Sequence, residues 1–167
     1  MSYRVLAARL AGPLALAFFV VSCATNPATG GKMLSLVSES QEIRMGQQFS
    51  QEVESSMPLV DDAELQAYVE GVGLALAAVS ERPDLPWSFR VVDDPVVNAF
   101  ALPGGPVYVT RGILALFSSE AEMAAVLGHE IGHITARHSV EQISRAQLAG
   151  IGLAVGSMLS RDIARYS

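Results

Sequence analysis

The chain contains a single cysteine, Cys23, among its 167 residues. One thiol excludes an intramolecular disulfide, so no disulfide framework defines the fold. Basic residues are also few, with 11 Lys+Arg against 17 Asp+Glu and a formal net charge of −6. Such an acidic balance argues against a nucleic-acid partner. The length suits one domain with a real core rather than two.

Apolar runs long enough to cross a membrane as a helix are missing as well. The run from Leu10 to Val21 has about a dozen residues, whereas a spanning helix needs ~20. A short segment with two arginines and no acids precedes it, and small residues follow it. This is the layout of a secretory signal, so we expect residues 1–22 to be a signal peptide.

The lone cysteine stands directly after that segment. Val20-Val21-Ser22-Cys23 resembles a bacterial lipobox, in which the signal is cut before the cysteine and the thiol receives a lipid. The alternative is a free thiol beside an ordinary signal peptide. Lipidation of Cys23 explains an odd cysteine in an exported protein, and Ala24 after it favours the outer membrane by analogy with known lipoproteins. Loss of residues 1–22 removes two arginines and takes the net charge to −8. Acyl chains rather than charge would therefore hold the protein at the membrane.

The first part of the body is predicted to be a tether followed by a helix. Residues 24–37 contain Asn-Pro and Gly-Gly, which break regular structure, so residues 23–37 are interpreted as a lipidated tether. Ser38 with Gln41 fits a capping box and predicts a helix over about Glu39–Ser56.

A second helix and two strands are predicted next. Asp61 with Glu64 is another capping signature, and apolar residues recur at three- and four-residue spacing until near Ser80. Residues 87–92 and 107–110 have strand composition. Pro106 lacks an N–H, which suggests that the second of these is an edge strand. A short helix is expected over residues 113–117.

Two of the three histidines stand in the sequence HEIGH, residues 129–133. Ser119 with Glu122 predicts a helix that begins at about Glu120 and continues to Ala146 or beyond. On such a helix His129 and His133 lie about 40° apart on one face. Both imidazoles can then reach one zinc ion at about 2.0–2.1 Å.

The residue between them adds the group that hydrolysis needs. The Glu130 carboxylate lies beside the expected metal and can take a proton from a zinc-bound water. We therefore expect one Zn²⁺ per chain, with His129 and His133 as ligands and Glu130 as general base. The alternative is a plain helix with two satisfied histidines.

The other side of this helix is apolar. Leu127, Ile131, Ile134 and His138 lie about 140–200° from His129. The first three are predicted to be core residues. His138 is therefore predicted to face away from the metal.

Two segments resemble a known family. NAFALPGGPVYVTRG (98–112) and SEAEMAAVLGHEIGHITARHSVEQ (119–142) resemble the HtpX/BepA-like family of gluzincin metalloendopeptidases, relatives of the CaaX prenyl proteases with bacterial lipoprotein members. The likeness covers roughly residues 30–150. It implies an α+β, mostly helical, zincin-like protease core, with the HExxH helix packed beside a small edge-stranded sheet. It also implies that His129 and His133 bind zinc and that Glu130 is the base.

The resemblance further implies a substrate cleft. Val107, Tyr108 and Val109 would lie on its rim, where an extended peptide adds to the strand by main-chain hydrogen bonds. Asn98 would lie nearby as a helper, although an asparagine before a Gly/Pro turn is more often a turn residue.

The family's third zinc ligand is a glutamate on a later helix, in an E-x-x-A-D-like setting. No such element follows the motif here: Glu141 lies too far along the same helix, and the surroundings of Asp162 do not match. We expect the third ligand beyond this sequence, and residues 38–167 to be the N-terminal part of an incomplete protease domain.

The expected function is that of a zinc endopeptidase of the bacterial cell envelope, lipid-anchored on the periplasmic face of the outer membrane. Its expected substrates are misfolded or stalled envelope proteins, with the outer-membrane assembly machinery as a candidate partner. The alternative is a non-catalytic, chaperone-like lipoprotein that holds unfolded polypeptide in the same groove. A structural zinc site is disfavoured because such sites use four protein ligands.

Overall fold

The computed structural model describes residues 23–150, so the signal segment and Asp162 lie outside the described residues. The fold is α+β and mostly helical, as predicted. The elements in order are β1 (Cys23–Thr25), β2 (Lys32–Leu34), α1 (Glu39–Ser56), α2 (Ala63–Ala77), β3 (Ser88–Val92), β4 (Ala99–Ala101), β5 (Pro106–Thr110), α3 (Arg111–Leu114) and α4 (Glu120–Thr135). A last helix, α5, covers residues 138–150. Across the described chain, we find no helix with the length and apolar character to span a membrane.

Local capping begins the helices. Ser38 Oγ accepts from the backbone N–H of Gln41, and the Gln41 side chain accepts from the N–H of Ser38. This is the predicted capping box, and α1 has the predicted bounds. In α2 the cap is Asp62 rather than Asp61. Helix α2 therefore begins one residue later than predicted, after an isolated bridge between Leu59 and Val92.

The three-stranded sheet has the order β3-β5-β4. Strand β5 is parallel to β3 and antiparallel to β4, so it is the central strand. The prediction that β5 is an edge strand was wrong. Pro106 is the first residue of β5, where a missing N–H breaks little of the ladder, and its carbonyl accepts from the N–H of Leu102. Strand β4, which we did not predict, forms an edge instead.

The core lies between this sheet and the helices α2 and α4. Leu127, Ile131 and Ile134 of α4 are buried as predicted, in one cluster with residues of β3, β5 and α2. Gly73 of α2 lies directly against the ring of Phe89 on β3. The apolar face of α4 is therefore fixed on the sheet, and its opposite face stays accessible.

The segment interpreted as a tether has a defined structure. Strands β1 and β2 form an antiparallel hairpin, and Met33 and Val37 are buried with Val140 of α5. The prediction of an irregular tether over residues 24–37 was therefore wrong. Asn-Pro and Gly-Gly occupy the hairpin turn, a position that the same residue types favour.

The long helix predicted from Glu120 to Ala146 is interrupted. Helix α4 ends at Thr135, and Arg137 takes a left-handed conformation with φ 55° before α5 begins. Distant side chains bind the carbonyls exposed by the break: the Asn26 amide donates to Ala136 O at 2.9 Å, and Arg82 donates to Ile134 O at 3.1 Å. Tertiary contacts thus supply the hydrogen bonds that a continuing helix would have made.

Candidate metal centre

The two motif histidines converge on one point. Their Nε2 atoms lie 3.1 Å apart, with His129 exposed and His133 half-buried. Two nitrogen ligands at about 2.0–2.1 Å from a tetrahedral ion are separated by roughly 3.3–3.4 Å. The observed spacing is close to that value, so the geometry of the two ring nitrogens is compatible with a shared metal ion.

The Glu130 carboxyl differs from an ordinary surface acid. The residue is only 9% exposed, and burial raises its pKa while the nearby His129 partly opposes the rise. A carboxylate whose affinity for a proton is increased in this way is better suited to general-base catalysis near neutral pH.

The His133 ring favours the neutral form. Burial lowers the pKa of His133, and the neighbouring rings of His129 and His138 lower it further. A histidine must be neutral at the coordinating nitrogen to bind a metal. The environment of His133 therefore favours the state that coordination requires.

His138 does not face away from this pair, so that prediction was wrong. Its Nδ1 lies 2.7 Å from Nδ1 of His133, and the two ring centroids are 4.9 Å apart. The error arose from assuming one continuous helix. The break at Arg137 turns the chain and brings His138 back to the side of the motif.

A third ligand is not found in the described part of the chain. Among residues 23–150, no group of three or more His, Cys, Asp and Glu side chains could hold a metal ion. Glu141, considered from the sequence, instead forms an ion pair with Arg145 at 2.7 Å. Asp162 lies outside the described residues.

The residues predicted to contact substrate occupy the sheet interior. Val107, Tyr108 and Val109 are at most 1% exposed. The Tyr108 ring stacks on Phe100, its hydroxyl donates to Glu54, and burial raises its pKa to about 12. With β5 paired on both sides, these three residues cannot form the rim strand predicted for them.

Strand β4 forms one outer edge of the sheet; it pairs with β5 alone among residues 23–150 and also packs against α4. Strand β3 forms the other edge, where the Gln66 side chain already binds the backbone of Val91. Asn98 is exposed and immediately precedes this strand, and its backbone exchanges hydrogen bonds with Thr110. The sequence held a signal for β4 that we missed. Ala99-Phe100-Ala101 precedes a Pro-Gly-Gly-Pro turn and a β-rich segment, which is the pattern of a hairpin.

Comparison with known families shows to which family the chain belongs. Residues 63–165 match the model of peptidase family M48. The chain belongs to this family. The matched region of the M48 chain contains α2, the three-stranded sheet and the motif helix, and so includes every element of the candidate metal centre.

Relatives of the M48 chain are similar over most of its length. It is 32% identical over 158 residues to the Beta-barrel assembly-enhancing protease of Escherichia coli strain K12, covering 92% of this chain and 32% of that protein. It is 40% identical over 148 residues to the Mitochondrial metalloendopeptidase OMA1 of Schizosaccharomyces pombe, covering 84% and 43%. The M48 chain thus spans about a third to under a half of the length of these relatives. The predicted metalloendopeptidase family is confirmed.

Proposed function

We propose that this chain carries the catalytic helix of a zinc-dependent endopeptidase. The supporting observation is the 3.1 Å separation of the Nε2 atoms of His129 and His133, with the buried carboxyl of Glu130 between them in sequence. Two imidazole nitrogens one helical turn apart, with an adjacent acid as the base, are the part of a hydrolytic zinc site that an H-E-x-x-H helix supplies. A third ligand is proposed to come from residues other than 23–150.

The proposed reaction is hydrolysis of a peptide bond. His129 and His133 would hold zinc at this position through Nε2. The bound zinc would supply Lewis acidity, which polarises the scissile carbonyl and makes water a better nucleophile at neutral pH. As the water oxygen attacks the carbonyl carbon, Glu130 accepts a proton on its carboxylate. Glu130 then donates that proton to the leaving amide nitrogen and the carbon–nitrogen bond breaks. The products are an amine and a carboxylic acid, and the acid then releases the second proton of the water.

The proposed substrate is a polypeptide in extended conformation. The bonds between Thr110 N and Asn98 O and between Leu102 N and Pro106 O set the alternation of the β4–β5 ladder. By that alternation the N–H groups of Ala99 and Ala101 point away from β5, toward the free edge. An extended segment can pair with this edge beside α4.

The proposed setting is the bacterial cell envelope. The lipobox-like sequence before Cys23 supports lipid anchoring, for which we propose the periplasmic face of the outer membrane. The name of the Escherichia coli relative, a Beta-barrel assembly-enhancing protease, supports misfolded or stalled envelope proteins as substrates and the assembly machinery as partner. The alternative, a chaperone-like protein that holds polypeptide without cutting it, is favoured by the lack of a third ligand among residues 23–150.

Cleavage of denatured casein by the zinc-loaded, full-length protein tests the proposal. We expect Glu130→Gln to lower the rate by about 10²–10⁴-fold while the zinc content is unchanged. Glu141→Gln makes the same chemical change further along the chain and should cleave like the wild type. Equal cleavage by the wild type and Glu130→Gln, or no cleavage by a zinc-loaded wild type, would overturn the protease proposal. A zinc-loaded wild type that binds denatured casein without cleaving it would support the chaperone-like alternative.

A further inference from the structure

We propose that His138 is a positioning residue for the metal ligand His133, and that the break between α4 and α5 exists to place it there. This inference rests on the proposed zinc site. It assigns a function to the third histidine of the chain, which the reaction itself does not use. It also gives a reason for the left-handed residue that follows the motif helix.

The argument begins with the two nitrogens of the His133 ring. Its Nε2 faces Nε2 of His129, and its Nδ1 lies 2.7 Å from Nδ1 of His138. To bind a metal, Nε2 must present a lone pair, so the proton of the neutral ring has to be on Nδ1. His133 Nδ1–H then donates to His138 Nδ1, which accepts, and the proton of His138 is on its own Nε2.

This contact would hold both the tautomer and the ring orientation of His133. A ligand histidine generally donates its second ring N–H to an acceptor that fixes the tautomer and the ring orientation. Among residues 23–150, the His138 nitrogen is the hydrogen-bonding partner found at His133 Nδ1. His129 is held differently, since its hydrogen-bond contact is with His133 through Nε2.

The break in the helix makes this contact possible. On an uninterrupted helix a residue five positions after His133 would be rotated by about 140° from it. That rotation would direct His138 to the buried side, where Leu127 and Ile131 lie. With Arg137 at φ 55°, the first residue of α5 instead stands beside the motif.

A buried ion cluster stabilises the break. Arg137 Nε donates to Glu42 Oε2 at 2.9 Å, and its Nη2 donates to Val37 O at 3.0 Å. Glu42 also binds Arg82, which donates to Ile134 O in the last turn of α4. A left-handed conformation at a non-glycine residue is strained and persists only when its surroundings determine it. Here the surroundings come from α1 and from the segment after α2.

Zinc affinity of the full-length protein, measured by competition with a chromophoric chelator, tests the inference. His138→Phe keeps a ring but removes the acceptor, and we expect it to weaken zinc binding by about 10–100-fold. His138→Asn places an acceptor oxygen near the position of Nδ1 and should stay within about tenfold of the wild type. Gln142→Ala, at an exposed position on α5, should bind like the wild type.

Cobalt substitution gives a second readout. The visible absorption of bound Co²⁺ reports ligand geometry, so we expect an altered spectrum in His138→Phe and a wild-type spectrum in His138→Asn. Thermal unfolding of the metal-free variants checks that each is folded. A folded His138→Phe with wild-type affinity and spectrum would overturn the positioning role. So would a folded His138→Asn that binds as weakly as His138→Phe.

The same titration separates this inference from the zinc site on which it rests. His133→Ala removes the proposed ligand and should abolish tight binding. If His133→Ala binds zinc like the wild type, the proposed metal centre is wrong. If His133→Ala loses zinc while His138→Phe keeps it, the metal centre stands and only the role of His138 is refuted.

Discussion

Arg137, which follows the motif helix, donates its Nε to the Glu42 carboxylate at 2.9 Å across 95 residues of sequence. Glu42 is 1% exposed, and its other oxygen accepts from Arg82 at 2.8 Å. One buried carboxylate therefore pairs with two guanidinium groups. This cluster joins α1 to the end of the helix that carries the proposed metal ligands.

Removal of the Glu42 charge should strongly destabilise the protein. We expect Glu42→Gln to lower the free energy of unfolding by about 3–5 kcal/mol, because it leaves Arg137 without its counter-charge and Arg82 with only the exposed Glu39. Glu39 also pairs with Arg82, but its side chain is 66% exposed, so Glu39→Gln should cost less than about 1 kcal/mol. Denaturant unfolding measures both. Equal losses in the two variants would show that burial does not set the strength of this cluster.

Two glycines of α2 should respond to alanine in opposite directions. A Cβ at Gly73 would lie 2.3 Å from the Phe89 ring, so Gly73→Ala should destabilise by about 1–3 kcal/mol through overpacking. A Cβ at Gly71 meets no atom within 4 Å, and Gly71→Ala should stabilise by about 0.5–1 kcal/mol because alanine loses less backbone entropy in a helix. Thermal unfolding of the two variants gives the comparison. Loss of stability in Gly71→Ala would contradict the packing described for this helix.

The raised pKa of Glu130 predicts a pH-dependent cost to stability. Burial raises this pKa in the folded state, so the folded protein binds a proton more readily than the unfolded chain. The metal-free protein should then lose stability as the pH rises from the ordinary carboxyl pKa through the raised value. Glu130→Gln should be more stable than the wild type at neutral pH, and the difference should vanish in acid. If the stability difference between Glu130→Gln and the wild type does not change with pH, the raised pKa of Glu130 is not its cause.

The edge of β4 is expected to contribute to substrate binding. Ala101→Pro removes an N–H that points away from β5, so the sheet should survive while one hydrogen bond to an extended substrate is lost. The loss of about 0.5–1.5 kcal/mol corresponds to a decrease of roughly 2- to 10-fold in kcat/KM for a peptide substrate. Phe100→Pro removes an N–H of the β4–β5 ladder and should mainly lower stability. Unchanged kcat/KM in a folded Ala101→Pro protein would argue against pairing at this edge.

Features that depend on neighbouring residues were predictable. The caps of α1 and α4 involve Ser38 with Gln41 and Ser119 with Glu122, each three residues apart. Such contacts form within one turn of the chain, so the sequence pattern is sufficient to find them. The buried face of α4 followed from helical periodicity for the same reason.

The order of the strands was not predictable in this way. Residues 106–110 have the composition of a strand, but composition does not state which strands lie on either side. The parallel pairing with β3 and the antiparallel pairing with β4 make β5 central. Because β5 is central, the proposed peptide site lies at the edge formed by β4 and not at residues 107–109.

The sequence by itself determined that His129, Glu130 and His133, the proposed ligands and base, lie together on one helix, because their spacing follows the helical period. Only the tertiary structure decided the position of His138. The two residues at the break, Ala136 and Arg137, are neither glycine nor proline. The break depends on hydrogen bonds that Asn26 and Arg82 donate to the end of α4 and on one that Glu42 accepts from Arg137. Contacts between residues so distant in the chain form only when the hairpin, α1 and α4 pack together, so a local pattern could not reveal them.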